Sequence, residues 1–412
     1  MAIRIHPRVA KIEYAIREVV VPARKLKQAG HRVLHLNIGD PNRYDFDTPE
    51  YVKKALVDAI QTHHNYYAES EGEPEVLEAI AKREKRFKGL NVSPNDILTS
   101  SGASEAVAFL MGSLVGEGKD LLMPGPSYPL YISLANYFGG KTVEYKCDEQ
   151  NGWNPDVDDL QSKITKDTNA ILVINPNNPT GAVYDKETLK AIADIAADKN
   201  ILVISDEIYD MMSFKKPFYS IASLNENGNY VCLGGLSKVY LAPGWRVGYA
   251  VFKGPETEKL KEACYKLARG RLSSSTPGQY ALKAAVQSEP HLKEYMYKLE
   301  TRAKFATKRI NEIDGLSVVE PDGTLYMFPK IENEKLAKDD KKFASDLLNW
   351  QADKCDLKNK KCFGHPLVVF GSAFGEEYGK GHFRLVYAAE QAVLEQALDR
   401  LEGFMKHTLK SI

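Results

Sequence analysis

The stretch LGGLSKVYLAPGWRVGY, residues 233–249, sets Lys238 behind a short apolar run, with Ser237 before it and Arg246 eight residues on. A solvated loop lysine is the ordinary explanation for one such residue. Two other apolar runs end on different side chains. AILV leads into INPNNPTGAVY, where Asn178 could donate an amide into a cleft and Gly181 would let a following helix approach closely. ILVIS ends at Asp206, with Tyr209 three residues later. Taken singly, the first is a plain turn and the second a helix cap. Taken together, three successive runs deliver an amide, an acid with a phenol, and a serine with a lysine. One chemistry needs that set. Pyridoxal phosphate requires a lysine amine for its aldehyde, an acid to keep its ring nitrogen protonated, donors at its phenolic oxygen, and a cationic, NH-rich cup for its phosphate. Lys238, Asp206, Tyr209 with Asn178, and Ser237 with Arg246 meet those needs in turn. SSGASEAVAF adds Gly102-Ala103-Ser104 at a helix start, where free NH groups face an anion. PGPSYPLY places Tyr128 where a ring could stack on the cofactor.

These residues must be positioned by a sheet. From about Asp96 to Phe252, short apolar runs alternate with helical patterns such as ASEAVAFLMGSL and DKETLKAIADIAADKN. That alternation predicts an α/β fold, a mostly parallel sheet covered by helices, with ligands beyond the carboxyl ends of the strands. The C-terminal part reads as a smaller α/β unit: a long amphipathic helix, short strands of antiparallel character, and a closing helix. The first fifty residues, with VLHLNIGDP, have no helical partner of their own and are expected to join it. The expected boundaries are 1–48 for the N-terminal arm and part of the small domain, 49–289 for the large domain and 290–412 for the small one.

The 412 residues carry 55 basic and 55 acidic side chains, a formal net charge of zero. Neither nucleic acid nor an anionic membrane is an expected partner. No apolar run reaches bilayer length, and the first twenty residues lack a signal-peptide core. The five cysteines form no CxxC and the nine histidines no HExxH, so no disulfide framework or metal site is expected, and a reducing cytoplasm fits. The neighbours His63 and His64 cannot share a helix face and read as structural.

The ordered motifs NIGDP, NYYAESEGEPE, SSGASEAV, PGPSYPLY, NPNNPTG, SDEIYD, GLSKVYLAPGWRVGY and GHFRLVY resemble the fold type I, class I/II pyridoxal-phosphate aminotransferases over nearly the whole chain. EYAIREVVVPA, HNYYAESEG and GSAFGEEYGKGHFRLVY are most similar to the prokaryotic alanine aminotransferases. The resemblance implies that Lys238 holds the cofactor and shuttles the α-proton. Asp206 would pair with the ring nitrogen, Tyr209 and Asn178 would hold the phenolic oxygen, and Tyr128 would stack. Ala103, Ser104, Ser237 and Arg246 would hold the phosphate, helped by Tyr67 from a neighbouring subunit, so a homodimer with interface active sites is implied. Arg384 would clamp the substrate α-carboxylate, with Gly39 as a backbone contact. Many members carry Ser or Thr three residues before the lysine; here that residue is Gly235.

The implied reaction is ping-pong exchange of an amino group between an amino acid and a 2-oxo acid. Alanine is the leading donor and 2-oxoglutarate the expected acceptor; aspartate or an aromatic amino acid is the runner-up. Arg271 is the candidate cation for a distal carboxylate, a plain surface arginine being the alternative, and Tyr326 is expected to border the side-chain pocket. A carbon–sulfur β-lyase would use the same cofactor residues. A transcriptional regulator would need a DNA-binding domain ahead of the first motif, where there is little room for one.

Overall fold

The apolar runs are rich in β-branched residues and end in Gly, Pro, Asn or Ser, which is the composition of buried strands. In the computed structural model, which describes residues 3–12, 19–350 and 364–411, they form the strands expected. Apart from β1 (Val33–His35), the first of these are β2 (Ile97–Ser100), β3 (Asp120–Gly125), β4 (Thr142–Asp148), β5 (Asn154–Pro155), β6 (Thr168–Ile174), β7 (Leu202–Asp206), β8 (Asn229–Gly235) and β9 (Gly248–Lys253). They build one sheet in the order β2-β9-β8-β7-β6-β3-β4-β5. Strands β3, β4, β6, β7 and β8 are parallel. Strand β9 runs antiparallel to β2 and β8, and β5 antiparallel to β4.

Both faces of this sheet are covered, because side chains alternate between them. In β6, Ile171 and Val173 join one apolar cluster, with Leu189 and Ile192 of the helix Lys186–Asp198. Leu172 and Ile174 join the other, with Val107 and Leu110 of the helix Ala103–Leu114.

The smaller unit begins with the helix Leu292–Asn311 and ends with Gln391–Leu409. Between them lie β10 (Leu316–Ser317), β11 (Tyr326–Met327), β12 (Lys330–Ile331), β13 (His365–Leu367), β14 (Val369–Phe370) and β15 (Phe383–Val386). The order β11-β15-β14 and the pair β10-β12 are antiparallel. The exception is β13, which pairs in parallel with β1 from the N-terminal segment. Leu36 continues that junction: its N–H donates to the Leu367 carbonyl, and its carbonyl accepts from Val386. Cys147, Cys232 and Cys264 are buried and free. Cys355, Cys362, residues 351–354 of the expected helix KKFASDLLNWQADK and residues 13–18 of EYAIREVVVPA lie outside the described residues. Among the described residues no helix is long and apolar enough to cross a membrane, and no cluster of His, Cys, Asp and Glu could hold a metal ion.

Candidate active site

Strands β6, β7 and β8 are neighbours and parallel, so the turns after them share one edge of the sheet. That edge borders a cavity of about 500 Å³. Every residue assigned above to cofactor or substrate lines it except Gly102, Tyr67 and Arg271.

Asp206 closes β7 and is buried. Its Oδ2 accepts from the Tyr131 hydroxyl at 3.0 Å and its Oδ1 from the Ile208 amide at 3.3 Å. Burial pushes its carboxyl up to about 6, although those hydrogen bonds and the nearby Lys238 ammonium pull the other way. The acid thus caps a tight turn, not a helix, and still faces the cavity. Lys238 stands in the loop after β8 and donates from Nζ to the Gly39 carbonyl at 2.6 Å. That loop is closed by Leu236 N–H on the Val247 carbonyl and by Ala242 N–H on the Leu236 carbonyl. Asn42 and Thr48 of the N-terminal segment both donate to the Leu241 carbonyl and fasten it from outside.

The Tyr209 and Tyr326 hydroxyls lie 3.0 Å apart. Burial pushes Tyr209 up. Burial also acts on Tyr326, but the Lys238 ammonium and the Arg384 guanidinium outweigh it and bring that phenol down. Gly39 is a glycine because the Tyr326 ring covers it: a Cβ there would stand 2.0 Å from the hydroxyl. Arg384, in β15, is buried between the rings of Tyr326 and Phe374, 4.5 and 4.8 Å from their centroids. It donates from Nη1 to Asn178 Oδ1 at 2.9 Å and from Nη2 to the Asn37 carbonyl at 2.6 Å. Its buried Nε has no hydrogen-bond partner among the described residues. Arg384 lines the cavity, so a carboxylate arriving there would meet its guanidinium. The bond from Arg384 also orients Asn178, turning its NH2 end away from the arginine.

At the other end of the cavity, the helix Ala103–Leu114 starts after Gly102 (φ 76°) with no side-chain cap among the described residues. Ser104, Ser237 and Arg246 also line the cavity. Arg246 is in the left-handed region (φ 55°), a conformation that a non-glycine residue holds only when its surroundings enforce it. Nη1 donates to the Pro243 carbonyl at 3.1 Å, and the guanidinium lies against Gly102, where a Cβ would come within 2.5 Å of it. A helix N-terminus, two serines and an arginine make a cup that suits a phosphate. With a buried acid and a lysine at the far side, the donor set fits pyridoxal phosphate.

Gly235 has a structural reason. A Cβ there would meet the Val247 carbonyl at 2.7 Å and Gly248 Cα at 2.8 Å, so backbone occupies the room a serine side chain would need. Gly181 corrects an expectation. Its φ is 78°, and what approaches it is not a helix but the segment carrying Tyr326: a Cβ would lie 2.5 Å from the Tyr326 carbonyl and 2.5 Å from Pro321 Cβ. Tyr131 was not singled out from the sequence; its only signal there is its place three residues after Tyr128, at the start of the helix Pro129–Phe138. Ile208, also lining the cavity between Asp206 and Tyr209, was likewise missed.

Arg271 lies away from the cavity of its own chain. It pairs with Glu105 at 3.1 Å and donates to the Thr99 carbonyl at 2.8 Å. Tyr67 is 80 % exposed. The two share a surface: the segment 269–276 bonds the segment 66–71 through Thr276 to the Tyr66 carbonyl and Arg269 to Glu71.

The chain is similar to known proteins over nearly its whole length. The family aminotransferase class I and II matches residues 32–401. Over 394 residues the chain is 34 % identical to the glutamate-pyruvate aminotransferase AlaA of Escherichia coli (strain K12), covering 94 % of each. The structure of an alanine aminotransferase from Pyrococcus furiosus is 46 % identical and matches with a TM-score of 0.92, over 98 % of this chain and 100 % of that one. Aspartate aminotransferase from Thermus thermophilus, solved with maleate, is 28 % identical with a TM-score of 0.86, again over 98 % and 100 %.

Proposed function

The chain belongs to the class I and II aminotransferases, which use pyridoxal phosphate, and from that premise we propose that it exchanges the amino group of alanine with 2-oxoglutarate. When bound, the cofactor supplies an aldehyde that condenses with amines and a ring that withdraws electrons while its nitrogen is protonated. The observation that carries the reading is the convergence of Asn178, Asp206 with Tyr209, and Lys238 from three adjacent parallel strands on one cavity.

Each residue then has a task. Lys238 would hold the cofactor through Nζ, and its free amine would be the base that takes the substrate α-proton and gives it back. Asp206, buried with Tyr131 on one oxygen, keeps the ring nitrogen protonated by supplying a fixed negative charge. Tyr209 and the NH2 end of Asn178 hold the phenolic oxygen, and Tyr128 stacks. The start of the helix at Ala103 and Ser104, with Ser237 and Arg246, holds the phosphate. Arg384 takes the α-carboxylate, beside Gly39, and Tyr326 narrows the space for the substrate side chain.

The same reading extends to the assembly. Tyr67 and Arg271 lie outside their own chain's cavity and on one surface, as a homodimer that lends them to the partner's site would need. Arg271 would there meet a distal carboxylate. The boundaries at 48 and 289, and a cytoplasmic location, belong to this proposal.

A half-reaction screen tests it. Purified, cofactor-loaded protein is mixed with single amino acids, and the change of cofactor absorbance to its aminated form is followed. Alanine and glutamate should convert it fastest. Faster conversion by aspartate or an aromatic amino acid would replace alanine as the substrate. Pyruvate and ammonia released from cystathionine without any oxo acid would make the protein a β-lyase.

A further inference from the structure

Behind the cavity, and lining none of it, lies a buried ionic cluster. Arg83 is the last residue of the helix Pro74–Arg83 and is 2 % exposed. Its fork grips Asp210 with both ends, Nη1 to Oδ2 at 2.8 Å and Nη2 to Oδ1 at 2.9 Å. Nη1 also reaches Glu84 at 3.0 Å and the Tyr249 hydroxyl at 3.3 Å, and Nε donates to the Tyr240 hydroxyl at 3.2 Å. Lys88 completes the cluster, with Nζ 2.9 Å from Glu84, 2.8 Å from Glu207 and 3.1 Å from Asp210.

The partners of Arg83 are not scattered. Asp210 directly follows Tyr209 and stands four residues after Asp206. Tyr240 is two residues after Lys238. Tyr249 is three residues after Arg246. One guanidinium therefore touches the segments of Asp206 and Lys238 and the strand that follows Arg246. Glu207, held by Lys88 and by the hydroxyls of Ser205 and Ser220, is the immediate neighbour of Asp206 on the side away from the cavity. An apolar plug of similar volume would stabilise the fold about as well as a buried ion cluster does. What the planar fork adds is direction: several N–H bonds at fixed angles to separate pieces of backbone.

We infer that Arg83 is a positioning residue for transamination, setting the mutual register of the Lys238 loop, the Asp206–Tyr209 turn and the Arg246 strand from behind. It touches neither substrate nor cofactor. The inference rests on the reading that Lys238 and Asp206 serve the cofactor.

The test uses the cofactor-loaded enzyme with two substitutions. Arg83→Lys keeps the charge and loses the fork. Tyr240→Phe removes one arm and leaves no carboxylate unpaired. The readouts are the pH midpoint of the absorbance change of the lysine-linked cofactor, kcat and KM for the alanine half-reaction, and the thermal midpoint. A misplacement of under an ångström predicts a loss in kcat of about 10–100-fold for Arg83→Lys. KM should stay within about two-fold, since the Arg384 clamp is untouched. The absorbance midpoint should move by about half a pH unit or more, because the field at the lysine changes. Tyr240→Phe should move the same quantities in the same direction by less. A lowered thermal midpoint with kcat and the absorbance midpoint unchanged overturns the inference and leaves Arg83 a packing residue. Should Arg83→Lys fail to fold, an unchanged kcat and absorbance midpoint in Tyr240→Phe overturns it too. Borohydride reduction and peptide mapping separate this from the reading beneath it: a label on a lysine other than Lys238 removes that reading and the inference with it.

Discussion

Asp206 is the residue at which burial and chemistry bear on each other most directly. In the cofactor-free protein its carboxyl is pushed up to about 6 by burial, above the ordinary 3.8. A raised acid contributes stability that is fully present below the unfolded value and is lost as pH rises through the folded one. Between pH 4 and 6 the cofactor-free protein should therefore lose on the order of 3 kcal/mol relative to Asp206→Asn, at about 1.4 kcal/mol per pH unit. Denaturation midpoints of both proteins across that range check this, and parallel curves would refute it. The loaded Asp206→Asn enzyme should keep its fold and lose most of its transamination rate. Arg384→Leu removes the cation between Tyr326 and Phe374. Losing a charge-assisted carboxylate contact costs about 2–5 kcal/mol in kcat/KM, and alanine and glutamate should suffer alike. Arg271→Leu should weaken glutamate and 2-oxoglutarate and spare alanine; equal losses would make Arg271 structural, through its pair with Glu105.

At the scale of elements, the site depends on how the turns after the strands are held. Lys88 bridges Glu84, Glu207 and Asp210 with a side chain that solvent does not reach. Lys88→Met leaves buried carboxylates short of a cation, and should destabilise the protein by about 3–5 kcal/mol in a denaturation experiment. Gly235 offers a sharper case. Gly235→Ser would add a hydroxyl three residues before Lys238, beside the phosphate cup. Here the backbone entering β9 is in the way: Val247 and Gly248 occupy the space of the new Cβ. The substitution should weaken cofactor binding and cost about 1–3 kcal/mol in stability. Tighter cofactor binding in a dissociation measurement would contradict the steric account.

At the scale of the molecule, the small unit reaches the cavity at several points. Arg384 bonds Asn178, Tyr326 meets Tyr209, and Glu144 of β4 accepts from the backbone N–H groups of Glu376 and Tyr378. Arg384 belongs to a strand of the small unit, so substrate binding there should draw the two units together. The proposed dimer is tested by mixing Tyr67→Phe and Lys238→Ala protomers. Each hybrid should contain one site with both lesions and one with neither, and activity after mixing should exceed the mean of the parents. A fully active monomer in sedimentation would contradict the shared site.

The information legible along the chain was local in kind. An apolar run followed by a turn says where a strand ends, and three such runs in succession are enough to put Asn178, Asp206 and Lys238 on one edge of a parallel sheet. The glycine at the start of the helix Ala103–Leu114 is legible for the same reason. Only the tertiary structure decided that Tyr131 holds Asp206 across 75 residues, that Arg384 orients Asn178 across 206, and that Arg83 fastens the turn beyond Tyr209 across 127. It also decided that Gly181 makes room for the Tyr326 segment rather than for a helix, and that β9 closes over Gly235. Such contacts depend on which surfaces pack together and how completely water is removed from them. Side-chain spacing along one element carries no record of either.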